Sequence, residues 1–441
     1  MKKVLILAYD FPPYNSVGGL RPYNWYKYFQ NFDIYPIIVT RQWDNTTGNE
    51  FDYISPSKSD ITLVESTDYG TIIRTPYKAN LSNRLLLKYG NKRFKFLRKL
   101  ISGYFEIAQF IWICGPKKNL YTEARSFLRK NSVDAIIATG DPFVLFKYAK
   151  MLSQKSNVPW VADYRDPWSS DIGLEKKYLL RLFYKFIEKK TINSASLITI
   201  PSEFFKFKIR KLTDNTIELL PNGYDPELIE SISTIIPSNQ VLSIGFIGTI
   251  YKWHPVESVL NVLDNYVKTK GSDCLRLSFV GINNLQEIEK LIGSNFNNLK
   301  EIITLEPKMS NEKILNKAAQ FDVLLLFNDF SIIGTKIYDY LGLKRPILFC
   351  YSEDESSIKL MNKYFIEKFG KSVKLNVQEQ LIRKKNAGFI IKNSEQLILI
   401  LDSIIEEHKK TGSVKCHTID SEEFSRRNQT KKLAELIHEI V

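Results

Sequence analysis

The sequence predicts an α/β protein made of two Rossmann-like, doubly wound domains, each with a parallel sheet. Three observations carry this. Short Val- and Ile-rich runs alternate with helical stretches, and strands spaced by helices form βαβ units with both sheet faces covered. The pattern starts afresh after residue 240. Just before that restart lies "LLPNGYDPE" (219–227), a turn-rich passage with Pro, Asn and Gly that suits a domain join.

In the first half the strand signals are "VLILAYD" (4–10), "YPIIVT" (35–40), "TIIRTPY" (71–77), "DAIIATG" (134–140), "PWVADYRD" (159–166) and "SLITIPS" (196–202). Helical stretches at 20–30, 143–155 and 176–193 separate several of them. In the second half they are "LSIGFIGT" (242–249), "LRLSFVG" (275–281), "EIITLEP" (301–307), "FDVLLLF" (321–327), "PILFC" (346–350) and "AGFIIK" (387–392). The domains expected are 1–222 and 223–418. Residues 419–441 follow no new strand and form a closing helix expected to cross between the domains. Two such sheets would turn their carboxyl ends toward one cleft, where ligands of this architecture bind.

Composition narrows the class. The chain has 441 residues, 44% hydrophobic and 25% charged, an ordinary globular balance. Its four cysteines stand singly, which fits a reducing compartment and argues against a structural zinc site. The opening "MKKVLILAYDFPP" has too short an apolar run for a signal peptide and reads as a buried strand. No segment reaches the roughly 18 uninterrupted apolar residues of a spanning helix. The protein is therefore expected to be soluble or bound at a membrane surface; a cytoplasmic location, peripheral on the inner face of the cell membrane, is what the basic segment and the family resemblance described below imply.

A formal charge of +14 calls for an anionic partner. From Arg84 to Lys99 the sequence "RLLLKYGNKRFKFLRK" carries Arg84, Lys88, Lys92, Arg93, Lys95, Arg98 and Lys99 and no acid, then enters "LISGYFEIAQFIWICG". Cations interleaved with bulky apolar residues describe an interfacial helix on an anionic membrane. A solvated basic face on a core-packing helix fits the same residues. Nucleic acid is not expected, because no binding motif accompanies the charge.

Four places could carry chemistry. Gly18 and Gly19 lie between strand one and a helix start, where backbone N–H groups can approach a polar ligand. Gly248 and Thr249 end a strand and are followed by Lys252, a combination suited to a diphosphate. In "GTKIYDYLGLKRPIL" a helix begins after Gly334 and Thr335 with Lys336 in its first turn, where the positive helix end favours a negative ligand. Asp339 follows on nearly the same face and could accept hydrogen bonds from the vicinal hydroxyls of a ribose. An internal Lys336–Asp339 pair is the plainer alternative.

These pieces also resemble a known family. "YDFPPYNSVGGLRPYNW", "TGDPF", "DYRDPW", "PNGYDPE", "GFIGTIYKW", "GTKIYDYLGLKRPIL" and "FSRRNQTKKLAELI" occur in the order found in family 4 glycosyltransferases of the GT-B fold, in the broad bacterial group that builds cell-surface polysaccharides. The resemblance implies metal-independent, retaining transfer of a sugar from a nucleotide-sugar, with no cofactor, to a glycan or polyprenyl-diphosphate-linked acceptor. It implies that Asp339 binds the donor ribose, Gly334, Thr335 and Lys336 the diphosphate, and Lys252 the donor phosphate. Gly18 and Gly19 would face donor phosphates and acceptor; Asp141, Asp163, Arg165 and Asp166 would lie on the acceptor side.

Where the family carries the first acid of a Glu-x7-Glu motif, this chain has Ser331, so either Asp329 or local backbone substitutes in holding the donor sugar, or the sugar is read differently. A histidine common in the family's N-terminal half is absent, and Asp141 stands in that region. His254, near the phosphate loop, reads as a packing residue. The expected mechanism has Lys252, Lys336 and helix-end amides stabilise the leaving diphosphate while Asp141 or Asp166 orients the acceptor. A non-catalytic partner subunit of the same fold, a sugar-nucleotide epimerase and a nucleic-acid-binding protein are the competing readings.

Overall fold

The computed structural model describes residues 1–441 except 15, 45–50, 171–176, 233, 234, 236, 238, 239, 331, 332 and 367–375. The described chain divides into two compact units, Met1–Pro221 with Gln429–Val441, and Asn222–Asn428.

In the first unit the elements run β1 (Lys2–Leu7), α1 (Val17–Tyr28), β2 (Ile34–Arg41), β3 (Leu63–Thr67), β4 (Gly70–Thr75), α2 (Leu81–Tyr89), α3 (Lys95–Ile111), α4 (Lys118–Leu128), β5 (Ala135–Gly140), α5 (Val144–Ser156), β6 (Trp160–Tyr164), α6 (Tyr178–Ile192), β7 (Leu197–Ile200), α7 (Glu203–Arg210) and β8 (Ile217–Leu219). The strand order is β3-β4-β2-β1-β5-β6-β7-β8, parallel throughout except that β3 pairs antiparallel to β4. The central strands are buried on both faces, which explains their unbroken apolar runs: Val4, Leu5, Ile6 and Leu7 are wholly inaccessible.

The second unit contains α8 (Pro226–Ile232), β9 (Leu242–Ile247), α9 (Val256–Lys270), β10 (Leu275–Ile282), α10 (Leu285–Asn295), β11 (Ile303–Pro307), α11 (Asn311–Ala318), β12 (Val323–Phe327), α12 (Lys336–Leu343), β13 (Ile347–Cys350), α13 (Glu355–Met361), α14 (Val377–Lys385), β14 (Gly388–Ile391) and α15 (Ser394–Thr411). Its all-parallel sheet is ordered β11-β10-β9-β12-β13-β14. Counted from β9, that is the 3-2-1-4-5-6 order of a dinucleotide-binding sheet, whose winding reverses where β9 meets β12. In the first unit the same reversal falls where β1 meets β5.

The last helix, α16 (Arg426–Ile440), contributes to the first unit from Gln429 onward. Its Leu433, Ala434 and Ile437 are buried with Val4, Ile6, Trp25 and Phe29.

Among the described residues two strands escape the sequence reading. β3 is exposed along its whole length and shows no apolar alternation, while β8 has only three residues. The other twelve fall where the Val- and Ile-rich runs place them. Among the described residues no helix is long and apolar enough to cross a membrane.

Candidate functional site

In the second unit the residues of interest gather where the winding reverses, the position at which sheets of this order bind ligands. β9 is followed by Gly248, whose φ of +78° is reached at low cost only by glycine. Its amide donates to the Val280 carbonyl at 2.7 Å, and a Cβ there would stand 3.2 Å from Lys336 Cε. Lys336, the first residue of α12, extends back over this turn. Its Nζ donates to the Thr249 carbonyl at 2.6 Å and lies 4.3 Å from the Phe246 ring centre. Burial pushes its pKa down to about 8, partly opposed by the charge of Asp329. Thr335 precedes the helix without capping it through its side chain, so the positive end of α12 lacks that neutralising oxygen.

Asp329, just beyond β12, is the hub of a buried network. Its Oδ1 accepts from Trp253 Nε1 and from His254 Nε2, both at 2.8 Å; Oδ2 accepts from Gln378 Nε2 at 3.2 Å. Its amide donates to Gln378 Oε1 at 2.7 Å. His254 Nδ1 accepts the Tyr251 amide at 3.3 Å, so Nε2 carries the proton and the ring is neutral; burial holds its pKa below the ordinary value. Burial also opposes ionisation of Asp329, but the His254 hydrogen bond, with Lys336 and Trp253, outweighs it and depresses the carboxyl pKa.

The network corrects the expectation that Asp329 replaces the missing acid beside a sugar, because its carboxylate is buried and pins the 251–254 loop to α14. Ser331 lies outside the described residues. Lys252 sits exposed on the pinned loop. Gly334 stands beside Asp329, an added Cβ being 3.8 Å from Oδ2.

Asp339 does not pair with Lys336. It is buried one turn further along α12, and the charged groups acting on it are Arg426 and Asp225. Burial raises its pKa to about 7; Arg426 pulls it down and Asp225 pushes it up. Its Oδ1 has no hydrogen-bond partner. Three motifs meet here. The Tyr224 amide donates to the Phe424 carbonyl at 3.0 Å, and Arg426 returns a bond to the Tyr224 carbonyl at 2.9 Å. A Cβ on Gly342 would stand 2.7 Å from the Tyr224 ring. Arg426 was missed as a site residue, although "FSRRN" was among the quoted motifs.

The first unit repeats the arrangement at its own reversal. Ser16 caps α1, accepting the Gly18 amide at 3.0 Å and donating to Asp10 Oδ2 at 2.7 Å. Gly18 is glycine for room: a Cβ would fall 1.7 Å from Arg165 Nη1. Gly19 packs 3.4 Å from the Asp10–Phe11 backbone by the same measure. Arg165 donates from Nε to the Gly140 carbonyl at 3.3 Å and from Nη2 to the Asp141 carbonyl. Asp10 was not foreseen. Burial raises its pKa, Ser16 and Arg165 lower it, Asp141 raises it again, and its Oδ1 is unpartnered. The only prior signal was its place directly after the first strand.

Asp163 requires a correction. It is wholly buried, with Oδ1 taking Arg21 at 2.5 Å and Thr199 at 2.7 Å, and Oδ2 taking Thr139 at 2.8 Å. Arg21 also donates to the Leu220 carbonyl at 2.7 Å. Asp163 therefore fastens β5, β6, β7 and α1 together and is unavailable to an acceptor.

Asp141 and Asp166 instead line a cavity of about 470 Å³ with Lys117, Glu106, Trp168 and Tyr184. Tyr184 donates to Glu106 at 2.9 Å, and Trp168 stacks on Phe143 with centres 5.0 Å apart. Burial depresses the Lys117 pKa. Carboxylates beside aromatic walls suit a polyhydroxylated ligand, whose hydroxyls donate to the former and whose C–H faces pack on the latter.

Among the basic residues of 84–99, Lys88, Lys92, Arg93, Lys95 and Lys99 are exposed. Arg98 is not. It is buried and donates to the Asn91 carbonyl, so it closes the α2–α3 turn rather than facing an anionic surface. Among the described residues no cluster of three or more His, Cys, Asp or Glu could hold a metal ion.

No protein-family model and no curated protein matches the sequence. Solved structures share the fold over essentially the whole chain. The UDP-forming α,α-trehalose-phosphate synthase from Burkholderia xenovorans, in complex with glucose-6-phosphate, is 11% identical, with 99% of this chain and 100% of that one covered at a TM-score of 0.61. Sucrose-phosphate synthase from Thermosynechococcus elongatus is 12% identical over 99% and 95% of the two chains, with a TM-score of 0.55. Anabaena HepE in complex with UDP-glucose is 13% identical over 100% of both, at 0.54. The chain thus has the GT-B fold class of these enzymes.

Proposed function

We propose that this protein is a glycosyltransferase of family 4 type, moving a sugar from a nucleotide-sugar with retention of configuration and without a metal ion. The observation that carries the reading is Lys336. Its ammonium lies over a glycine turn at the winding reversal of a dinucleotide-type sheet, beside a helix start that its N-cap side chain leaves uncapped. A pyrophosphate offers the charge that such a place lacks. That HepE was solved with UDP-glucose supports the donor class.

In this reading Lys336, the Thr249 amide, Gly334, Thr335 and the exposed Lys252 hold the diphosphate, and Gly248 supplies the turn over which it lies. Asp339 offers its partnerless Oδ1 to the donor pentose. The Asp329–His254–Trp253 network holds the loop that presents Lys252. As the glycosidic bond breaks, negative charge grows on the leaving phosphate, and each cation or amide aimed at it contributes about 2.7–4 kcal/mol. The acceptor half belongs to the first unit. There Asp141 and Asp166 receive acceptor hydroxyls in the 470 Å³ cavity, with Gly18, Gly19 and Arg165 shaping its approach. A glycan or polyprenyl-diphosphate-linked acceptor for a surface polysaccharide, met at the cytoplasmic membrane face, fits the basic segment.

A melting screen against UDP-, GDP- and dTDP-sugars tests the donor half, since a ligand at 100 times its Kd stabilises by about 2.7 kcal/mol. Nucleotide release is then followed with the best donor. Binding that Lys336→Met weakens by about 1.5–3 kcal/mol, with release that Asp141→Asn abolishes, supports the proposal. No shift with any donor, or equal binding by Lys336→Met, overturns it. Binding without release, even over a panel of lipid-linked acceptors, identifies a non-catalytic subunit.

A further inference from the structure

Helices α3 and α6 are amphipathic in the wrong sense for a protein surrounded by water. On α3, Phe96, Leu100, Tyr104, Ile107 and Ile111 recur at helical spacing, and all are exposed, Phe96 at 77%. On α6, Leu179, Leu182 and Phe186 do the same, at 80%, 46% and 64%. The inner faces of the two helices are joined: Tyr184 of α6 bonds Glu106 of α3 at 2.9 Å, and its ring meets Phe110 edge-on at 5.6 Å. Among the described residues of these two helices every exposed charge is positive. Lys95 and Lys99 lie on α3; Arg181, Lys185, Lys189 and Lys190 lie on α6, with Lys177 just before it. The one acid of α6, Glu188, is buried, its carboxylate taken by Tyr164 and the Ser169 amide.

We infer that α3 and α6 together form a docking face for an anionic lipid bilayer, with Phe96, Leu100, Leu179 and Phe186 entering the acyl boundary and the surrounding cations on the headgroups. Charge complementarity selects the occupant. A second copy would set one cationic face against another, whereas an anionic leaflet satisfies both the charges and the apolar stripes. α6 is the new element, since its sequence lies far from the basic segment. The inner faces of the same helices supply Glu106, Gln109, Phe110 and Tyr184 to the cavity. A lipid-borne acceptor would therefore meet that cavity about one helix diameter, roughly 10 Å, from the bilayer.

This deepens the membrane part of the proposed function and rests on that part alone. The test uses vesicles of phosphatidylglycerol and phosphatidylcholine, without nucleotide or acceptor, so its failure leaves the transferase reading standing, and failure of that reading leaves it untouched. The full chain should co-sediment with anionic vesicles and not with pure phosphatidylcholine. Arg181→Gln/Lys185→Gln/Lys189→Gln should lower partitioning roughly a hundredfold, at about fivefold per surface cation. Leu179→Glu/Phe186→Glu should abolish it while leaving the circular dichroism spectrum and melting temperature unchanged. Absence of vesicle binding, binding untouched by the α6 variants, or a wild-type dimer in ultracentrifugation that Leu179→Glu/Phe186→Glu splits would each overturn the inference.

Discussion

Asp339 offers a measurable consequence of burial. In the unfolded chain its carboxyl titrates near the ordinary value, about 3.9; in the folded protein burial lifts it to about 7. Below pH 4 both states hold the proton and nothing is lost. Between pH 4 and 7 the unfolded state gives up its proton while the folded state keeps it, so stability declines as pH rises, and above 7 the deficit is constant. Three pH units at about 1.36 kcal/mol each make a deficit on the order of 4 kcal/mol. Asp339→Asn carries no titrating group, and any packing or hydrogen-bond offset it introduces is independent of pH. Urea unfolding of both proteins from pH 5 to 8 should therefore show the variant gaining on the wild type by about 3 kcal/mol, with the gain levelling off above pH 7. Parallel stability curves across that range, or a gain toward acid, would refute the assignment of a neutral, buried carboxyl beside Arg426.

Two further outcomes follow from the same kind of reasoning. Asp163→Ala strands the buried Arg21 guanidinium and should cost about 3–5 kcal/mol in denaturant unfolding; a loss below 1 kcal/mol would contradict the buried ion pair. Lys336 bears its proton below its pKa of about 8, so the Kd of the bound nucleotide should be flat below that pH and rise by up to tenfold per unit above it. Lys336→Met should weaken binding by about 1.5–3 kcal/mol and remove this pH dependence in a calorimetric titration; a variant keeping the alkaline loss would assign it elsewhere.

The fold was legible because central parallel strands must be apolar on both faces, and runs such as "VLIL" and "VLLLF" announce that directly. β3 was silent because an exposed edge strand obeys no such rule. At the site, glycine turns and helix starts could be read as local grammar, which located Gly18, Gly248 and Lys336. Contacts closed over long separations could not. Asp163 looked like a ligand contact because nothing in "DYRDPW" says that Arg21, Thr139 and Thr199 converge on it. Arg98 sits among exposed cations in sequence and folds inward to the Asn91 carbonyl. Asp329 and Arg426 acquire their roles from residues 75 and 87 positions away, His254 and Asp339.

The packing of α16 sets an order on synthesis. Leu433, Ala434 and Ile437 roof the apolar floor made by Val4, Ile6, Trp25 and Phe29. The first strand leaves the ribosome more than four hundred residues before its cover does. While residues 222–428 are being translated, that floor is exposed to chaperones or to unwanted neighbours. A nascent chain stalled before residue 429 should thus bind a ribosome-associated holdase through its amino-terminal end, and release should follow the arrival of the final helix.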